Sequence, residues 1–392
     1  MNWMEKALEI QESIRADRRK IHENAEVGFD LPKTTAYVKG RLREMGYEPW
    51  DCGRAGIIAT VGKPGGKVFL LRADMDALPI REEAAVDFAC PDGRMHACGH
   101  DLHTAMLLGA AKLLKDQEEQ LPGMVKLMFQ PSEETFEGCR DMLEHGLLED
   151  PKPQGAMMIH VAAAMPMAPG TIVVSGPGVS APAADYFTVT VHGKGCHGAA
   201  PQQGIDPIAA GAKILLALEE LPAREFPGSV LTVGSFHAGD AGNVIPDKAQ
   251  LCGSLRTWDE SLRESCKARM VTLAEGTASA CRARAEVSFG TGCPSLYNDP
   301  TLCAQVTRWL RAQLGEDKVF TAAQLGGTGG GGSEDFAYLS REVPSVMLAL
   351  AAGRPEDGYA YPQHHPKAAF DESVLCVGAA ALAACAEGFL KE

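Results

Sequence analysis

The chain has 392 residues, of which 45% are hydrophobic, and a formal net charge of −14. That length exceeds one ordinary core, so a soluble globular protein of two domains is expected, and the acidic balance argues against nucleic acid or an anionic membrane as partner. The 12 cysteines are scattered, and Cys252, Cys376 and Cys385 lie in apolar runs, which suits buried thiols in a reducing cytoplasm rather than a disulfide scaffold.

The opening segment, MNWMEKALEIQESIRADRRK, is charged and amphipathic, unlike a secretory signal. No run of about 18 uncharged apolar residues marks a membrane span. Residues 1–50 read as two helices joined by the loop HENAEVGFD. KVFLLRADMDALPI (67–80) starts as a buried strand and leaves the sheet between Asp74 and Pro79. In RMHACGHDLHTAML a dense set of polar residues turns straight into a helix, with Leu102, Met106, Ala110 and Leu113 at helical spacing. MVKLMFQPSEE (124–134) is a strand that stops at Pro131. EGCRDMLEHGLL is a short helix, and GAMMIH (155–160) is a buried strand ending in a histidine. Strand and helix in alternation predict a largely parallel, doubly wound sheet.

The pattern changes near residue 183. In DYFTVTVHGKG, Phe187, Val189 and Val191 alternate with Thr188, Thr190 and His192, as in an antiparallel strand with one wet face. A helix (206–221), strands near 229–237 and 247–258, a long helix (259–282) and a strand near 285–289 follow. This β-α-β-β-α-β order predicts a ferredoxin-like α+β domain. Alternating α/β signals return after 297. The expected organisation is therefore an α/β domain made of 1–182 and 297–392, interrupted by an inserted domain at 183–296. Segments near 182–185 and 294–298, with prolines close by, are the expected hinges.

Ligands of open α/β sheets bind beyond the carboxyl ends of strands. The metal-capable residues at such positions are Asp74, Asp76, Cys98, His100, Glu133, Glu134 and His160, with His364 and His365 in YPQHHPKAAFDE as a distant pair. Cysteine, histidine and glutamate together suit zinc or a similar ion. One thiolate, three imidazoles and a carboxylate exceed what one tetrahedral ion needs, and two ions would use them fully. Adjacent glutamates can divide the work, one binding metal and one moving protons. GGTGGGGSED lacks the Lys-Ser/Thr end of a phosphate loop. Its glycines suit close passage of backbone by a substrate, with Glu334 or Asp335 starting the next helix. His96 and His103 read as satisfied polar residues, His22 and Glu26 as loop stabilisers, and His145, His192 and His237 as structural.

The segments LRADMDALPI, HACGHDLHTA, FQPSEE, GKGCHGAAP, GNVIPD and GSEDFAYL occur in the order found in the aminoacylase and carboxypeptidase family of di-metal peptidases. From about His22 to about Asp371 the chain resembles its amidohydrolase branch, the group of hippurate hydrolases, N-acyl-amino-acid hydrolases and auxin-conjugate hydrolases. The resemblance implies metal ligands at Cys98, His100, Glu134, His160 and His364, His365 falling in the variable place. It implies two divalent ions, zinc or manganese foremost, with cobalt or nickel as further options. Glu133 matches the catalytic glutamate that passes a proton from the attacking water to the leaving amine. Asp76 matches the aspartate that orients a histidine ligand, here His100. His197 matches a histidine that reaches the substrate carbonyl oxygen, often across a dimer, which makes the inserted domain a lid and dimerisation domain and the protein a homodimer. Asn243 and Arg256 lie where the family meets the substrate's free carboxylate.

The implied activity is a metal-dependent cleavage of the amide bond of N-acyl amino acids or small peptides, in the cytoplasm. Two alternatives stand beside it. An aminopeptidase or deacylase of the wider family would recognise a free amine, for which Glu334 and Asp335 could serve. A non-catalytic metal-binding protein on the same fold would have no need of Glu133. Three positions depart from the family: VAAAMPM after His160 in place of an aromatic residue and a proline, Gln202 in place of a histidine, and Ala25 in place of a proline.

Overall fold

Buried strands whose two faces are both covered must read as almost unbroken apolar runs, and VFLLRA, MVKLMF and GAMMI do so. In the computed structural model, which describes residues 1–327 and 332–392, they lie side by side. The chain begins with α1 (Trp3–Glu9), α2 (Gln11–Glu23), α3 (Pro32–Glu44), β1 (Trp50–Cys52), β2 (Gly56–Gly62), β3 (Val68–Asp74), α4 (His100–Lys115), β4 (Met124–Gln130), α5 (Gly138–Glu144), β5 (Gly155–Ala162), β6 (Ile172–Val174) and β7 (Gly178–Ala181). It continues with β8 (Ala183–His192), β9 (Cys196–His197), α6 (Pro207–Glu225), β10 (Val230–Ala238), β11 (Val244–Ile245), β12 (Lys248–Thr257), α7 (Glu260–Ala280) and β13 (Arg284–Cys293). It closes with β14 (Leu296–Asn298), α8 (Pro300–Leu314), β15 (Val319–Thr321), α9 (Phe336–Glu342), β16 (Ser345–Ala351) and α10 (Leu375–Lys391). The described residues divide into two compact units, one of Met1–Ser180 with 297–327 and Glu334–Glu392, the other of Ala181–Leu296 with 332–333. Residues 183–185, expected in a hinge, belong to β8 instead. The glycines at 329–331 of the glycine-rich run lie outside the described residues.

The first unit holds an eight-stranded sheet in the order β1-β2-β4-β3-β5-β16-β6-β15. Its centre, β4-β3-β5-β16, is parallel throughout. The edges are not: β2 runs antiparallel to β1 and β4, and β6 antiparallel to β16. α4 packs on β3 between α2 and α10, and nearly all of its residues are buried. Gly378 of α10 is required at that crossing, since a Cβ there would lie 1.9 Å from the Met106 sulfur. The segment Glu372–Lys391 is long and apolar enough by composition to cross a membrane, but 83% of its most apolar stretch is buried inside the fold.

The single helix expected before the first loop is two helices, because the chain turns at Ile10 (φ −108°, ψ 9°). The turn lets α1 follow α10, with Trp3 Nε1 donating to Glu387 Oε2 at 2.6 Å, while α2 runs along α4. Gln11, just past the turn, donates to the Glu372 carbonyl at 2.8 Å and accepts from Cys376 N at 2.9 Å, tying the start of α10.

In the second unit a four-stranded antiparallel sheet in the order β10-β12-β8-β13 carries α6 and α7, connected as β-α-β-β-α-β. Its core is apolar: Phe187, Val189 and Val191 from β8 meet Ile214 and Leu218 of α6 and Met270 of α7. Asp206 caps α6 by accepting from Ile208 N and Ala209 N, with Pro207 preset for the first turn. Asp259 caps α7 in the same way through Leu262 N.

Candidate active site

Four neighbouring parallel strands, β4, β3, β5 and β16, point their carboxyl ends the same way, and each delivers site residues there. Asp74 ends β3 and Asp76 lies just beyond it; Glu133 and Glu134 follow β4; His160 sits near the end of β5; the segment after β16 leads to His364. Cys98 and His100 arrive at the start of α4. The turn between them needs glycine: Gly99 has φ +91°, and a Cβ on it would lie 2.4 Å from Val161 Cγ2.

The structure brings the five residues Cys98, His100, Glu134, His160 and His364 together. Cys98 Sγ lies 3.5 Å from His160 Nε2, and His364 Nε2 lies 3.3 Å from Glu134 Oε1. Their donor atoms form overlapping groups, Cys98 with His100 and His160, and Cys98 with Glu134 and His364, each spanning no more than 4.8 Å. His100 Nε2 and Glu134 Oε1 are buried, make no hydrogen bond and stand 3.9 Å apart. Buried polar atoms normally have partners, so two such atoms facing each other beside a thiol are arranged for a cation. Burial raises the Cys98 thiol, but facing His160 and His100 pull it down to about 6, which favours the metal-binding thiolate. The donor set therefore fits divalent ions of the borderline class.

Hydrogen bonds orient each imidazole. His160 Nδ1 donates to the Val161 carbonyl at 2.7 Å, leaving Nε2 free toward Cys98. His100 Nδ1 donates to the backbone carbonyl of Asp76 at 2.8 Å, whereas the Asp76 carboxylate is 3.5 Å away. Asp76 thus holds His100 chiefly through its backbone carbonyl, and its carboxylate, beside the same ring, also accepts from Glu133 N at 3.0 Å and Glu134 N at 3.2 Å. His364 has φ +64°, a strained conformation worth about 1–3 kcal/mol, held by its own N–H on the Ala97 carbonyl at 2.9 Å. The neighbouring Gln363 donates to the Val161 carbonyl at 2.8 Å. His365 turns away: its Nδ1 accepts from Lys367 N and its ring stacks on Tyr361 at 4.4 Å.

His103 has no nitrogen to spare for a metal. Its Nδ1 donates to Asp74 at 2.6 Å and its Nε2 accepts from Val161 N at 2.8 Å. Beneath lies Arg72, fully buried, bonded to Asp74 at 2.7 Å, Glu334 at 2.8 Å, Asp335 at 3.2 Å and Gln130 at 2.9 Å. Glu334 and Asp335 are therefore committed inside the fold and offer no free carboxylate to a substrate amine. Asp335 precedes α9 without capping it; Phe336 N is taken by Glu334 instead. The Arg72 network escaped the sequence reading, although an arginine inside VFLLRAD was a visible signal, because charges are almost never fully buried unpaired. Glu133 is 5% exposed, and burial, then Glu334 and Glu134, push its carboxyl well above the usual range.

Away from the cluster, Glu26 accepts from Thr34 N at 2.9 Å and so stabilises the first loop. His22 is held between Asp101 at 2.8 Å and Glu82 at 2.9 Å. In the second unit His197 and Asn243 lie side by side, Gly198 N donating to the Asn243 carbonyl at 2.7 Å. His197 is exposed, and its Nδ1 accepts from Ala199 N at 3.0 Å. The neutral ring then presents Nε2–H as a donor. Arg256, on β12, donates to Ser333 Oγ at 2.6 Å.

The sequence pattern of peptidase family M20/M25/M40 matches residues 70–388. The chain is 35% identical to an N-acetylcysteine deacetylase of Bacillus subtilis over 92% of each chain. It is 34% identical to the IAA-amino acid hydrolase ILR1-like 2 of Arabidopsis thaliana, over 99% of this chain and 87% of that one. A solved structure from Bacillus subtilis, described as a dinuclear metal-binding peptidase of family M20, superposes with TM-score 0.81 at 32% identity, covering 97% of this chain and 99% of that one. With a strand-end cluster of thiol, imidazole and carboxylate donors beside the buried Glu133, and with relatives spanning nearly its whole length, the chain belongs to peptidase family M20/M25/M40.

Proposed function

We propose that this enzyme hydrolyses the amide bond of N-acyl amino acids or of closely related amino-acid conjugates. The observation that carries the reading is the pair of overlapping donor groups that share Cys98 and lie beside Glu133. Cys98, His100, Glu134, His160 and His364 would hold two divalent ions, zinc or manganese by the chemistry of the donors. When bound, such ions supply a Lewis acid and a water acidic enough to attack near neutral pH. The chain's own residues do the rest. Glu133, buried at the rim of the donor set, accepts the proton of the attacking water on its carboxylate and returns it to the nitrogen of the departing amine. His197 Nε2–H donates to the carbonyl oxygen as charge builds there. Asn243 and Arg256 meet the carboxylate of the leaving amino acid. By the same reading the protein works in the cytoplasm as a homodimer.

Recognition of a carboxylate is preferred over recognition of an amine because Glu334 and Asp335 are bound to Arg72. The test is a panel of N-acyl amino acids set against amino-acid amides, with chelated and metal-restored enzyme. Hydrolysis of the first series, lost on chelation and restored by zinc or manganese, is expected. Turnover of the amides alone, or full activity after complete metal removal, would overturn the proposal.

A further inference from the structure

We infer that Asp76 is a positioning residue for the Glu133–Glu134 turn, acting on the proton carrier and one metal-capable carboxylate together through their backbone amides. The inference rests on the assignment of Glu133 as the proton carrier. Glu133–Thr135 is a single turn of three residues. It is entered and left through non-glycine residues in the left-handed region, Ser132 at φ 56° and Phe136 at φ 58°. That region is unfavourable for residues with a side chain, so the turn needs outside support. So short a turn also cannot bond its own leading amides. A single carboxylate takes both: Asp76 Oδ1 accepts from Glu133 N at 3.0 Å and Oδ2 from Glu134 N at 3.2 Å.

The clamp itself is firmly mounted. Asp76 is 0% exposed. Its neighbours are pinned by Met75 N on the Gln130 carbonyl at 2.8 Å and Ala77 N on the Glu26 carbonyl at 2.7 Å. The two side-chain acceptors are what make the inference testable: Oδ1 and Oδ2 each take one glutamate amide, whereas His100 is held at 2.8 Å by the backbone carbonyl and lies 3.5 Å from Oδ1. Asp76→Asn keeps the backbone bond to His100 and spoils the paired glutamate amides, because an amide has one acceptor oxygen and turns its NH2 against the other N–H.

The experiment compares Asp76→Asn and Asp76→Glu with the parent enzyme in three measurements: bound metal per chain, steady-state kinetics, and amide hydrogen exchange of the metal-free protein. In Asp76→Asn, kcat is expected to fall about 10²-fold, the size of effect a misplaced reacting group produces. KM should stay as in the parent, and bound metal should fall by less than kcat, since Cys98, His100, His160 and His364 keep their places. Exchange should quicken at 133–134 with β3 and α4 unchanged, and Asp76→Glu, which keeps both acceptors on a longer arm, should recover part of kcat. Adding Asp76→Asn to Glu133→Gln should cost less than the product of the two single losses, since both act largely through Glu133. Loss of metal with unchanged exchange at 133–134, exchange that rises equally across β3 and α4, or multiplicative effects in the double variant would each overturn the inference. If Glu133→Gln alone retained full activity, the role of Glu133 would fail, while the exchange measurement would still decide whether the clamp exists.

Discussion

The two units spend their buried interiors differently. In the first, Arg72, Asp74, Asp76, Asp101, Lys126, Glu133, Glu334 and Asp335 are all buried. In the second, Asp185 is the one charged residue in that class among the described residues, gripped by Arg263 at 2.7 and 2.9 Å. Desolvating a charge costs several kcal/mol even after relaxation, so an interior built for stability alone would avoid it. The second unit is close to such an interior, its core packed from Val, Leu, Ile, Phe and Met. The first accepts the cost because a fixed array of thiol, imidazole and carboxylate donors cannot be made from apolar side chains.

That contrast can be broken by substitution. The largest effect is expected at Glu133. Glu133→Gln should lower kcat by roughly 10²–10⁴-fold, the usual worth of general acid–base help, while bound metal and melting temperature stay near those of the parent. Measured kinetics, metal analysis and a thermal scan check it together, and a variant that melts early but still turns over would make Glu133 a structural residue.

Arg72→Met removes the guanidinium that Asp74, Glu334 and Asp335 share. Breaking a buried charge network costs about 3–5 kcal/mol, to be read from denaturant unfolding. A neutral outcome would mean that the carboxylates are satisfied without the guanidinium. In the second unit the expected pattern is reversed. His197→Ala touches an exposed side chain, so stability should hold while kcat falls by about 10²-fold, the cost of losing one oxyanion donor. An unchanged kcat would take His197 out of the reaction. The smallest effect belongs to Ile214→Val in the apolar core of that unit, about 0.5–1.5 kcal/mol of stability with kinetics and metal content unaltered.

Much of this architecture was legible because it is local. HACGHDLHTA announces a helix start, and β3, β4 and β5 are read from their apolar runs. Cysteine, histidine and glutamate at strand ends stand out against that background. The edge hairpin of β1 and β2 escaped the sequence reading: β1 is only three residues long, although the apolar run GIIATVG of β2 was a visible signal. The break at Ile10 was not legible, since its cause is the packing of α1 and α2 on different partners.

The site divides in the same way. Sequence order named the donors and the family resemblance selected His364 over His365, but neither gave the physical reason that His364 faces Glu134. The backbone at φ +64° and the stacking of His365 on Tyr361 supply that reason for two adjacent identical side chains. Nor could it say which part of Asp76 does which work, because side chain and carbonyl of one residue point to different neighbours.

The sequence by itself determined the elements, the alternation that makes a parallel sheet, and the chemical types of the candidate ligands. These depend on periodicity and composition within a few residues. Only the tertiary structure decided which carboxylates are spent on Arg72, 262 and 263 residues away along the chain. It also decided which amides Asp76 holds and which imidazole nitrogens are left open. Those choices are hydrogen bonds between distant segments, and a hydrogen bond is a matter of tenths of an ångström that no local pattern encodes.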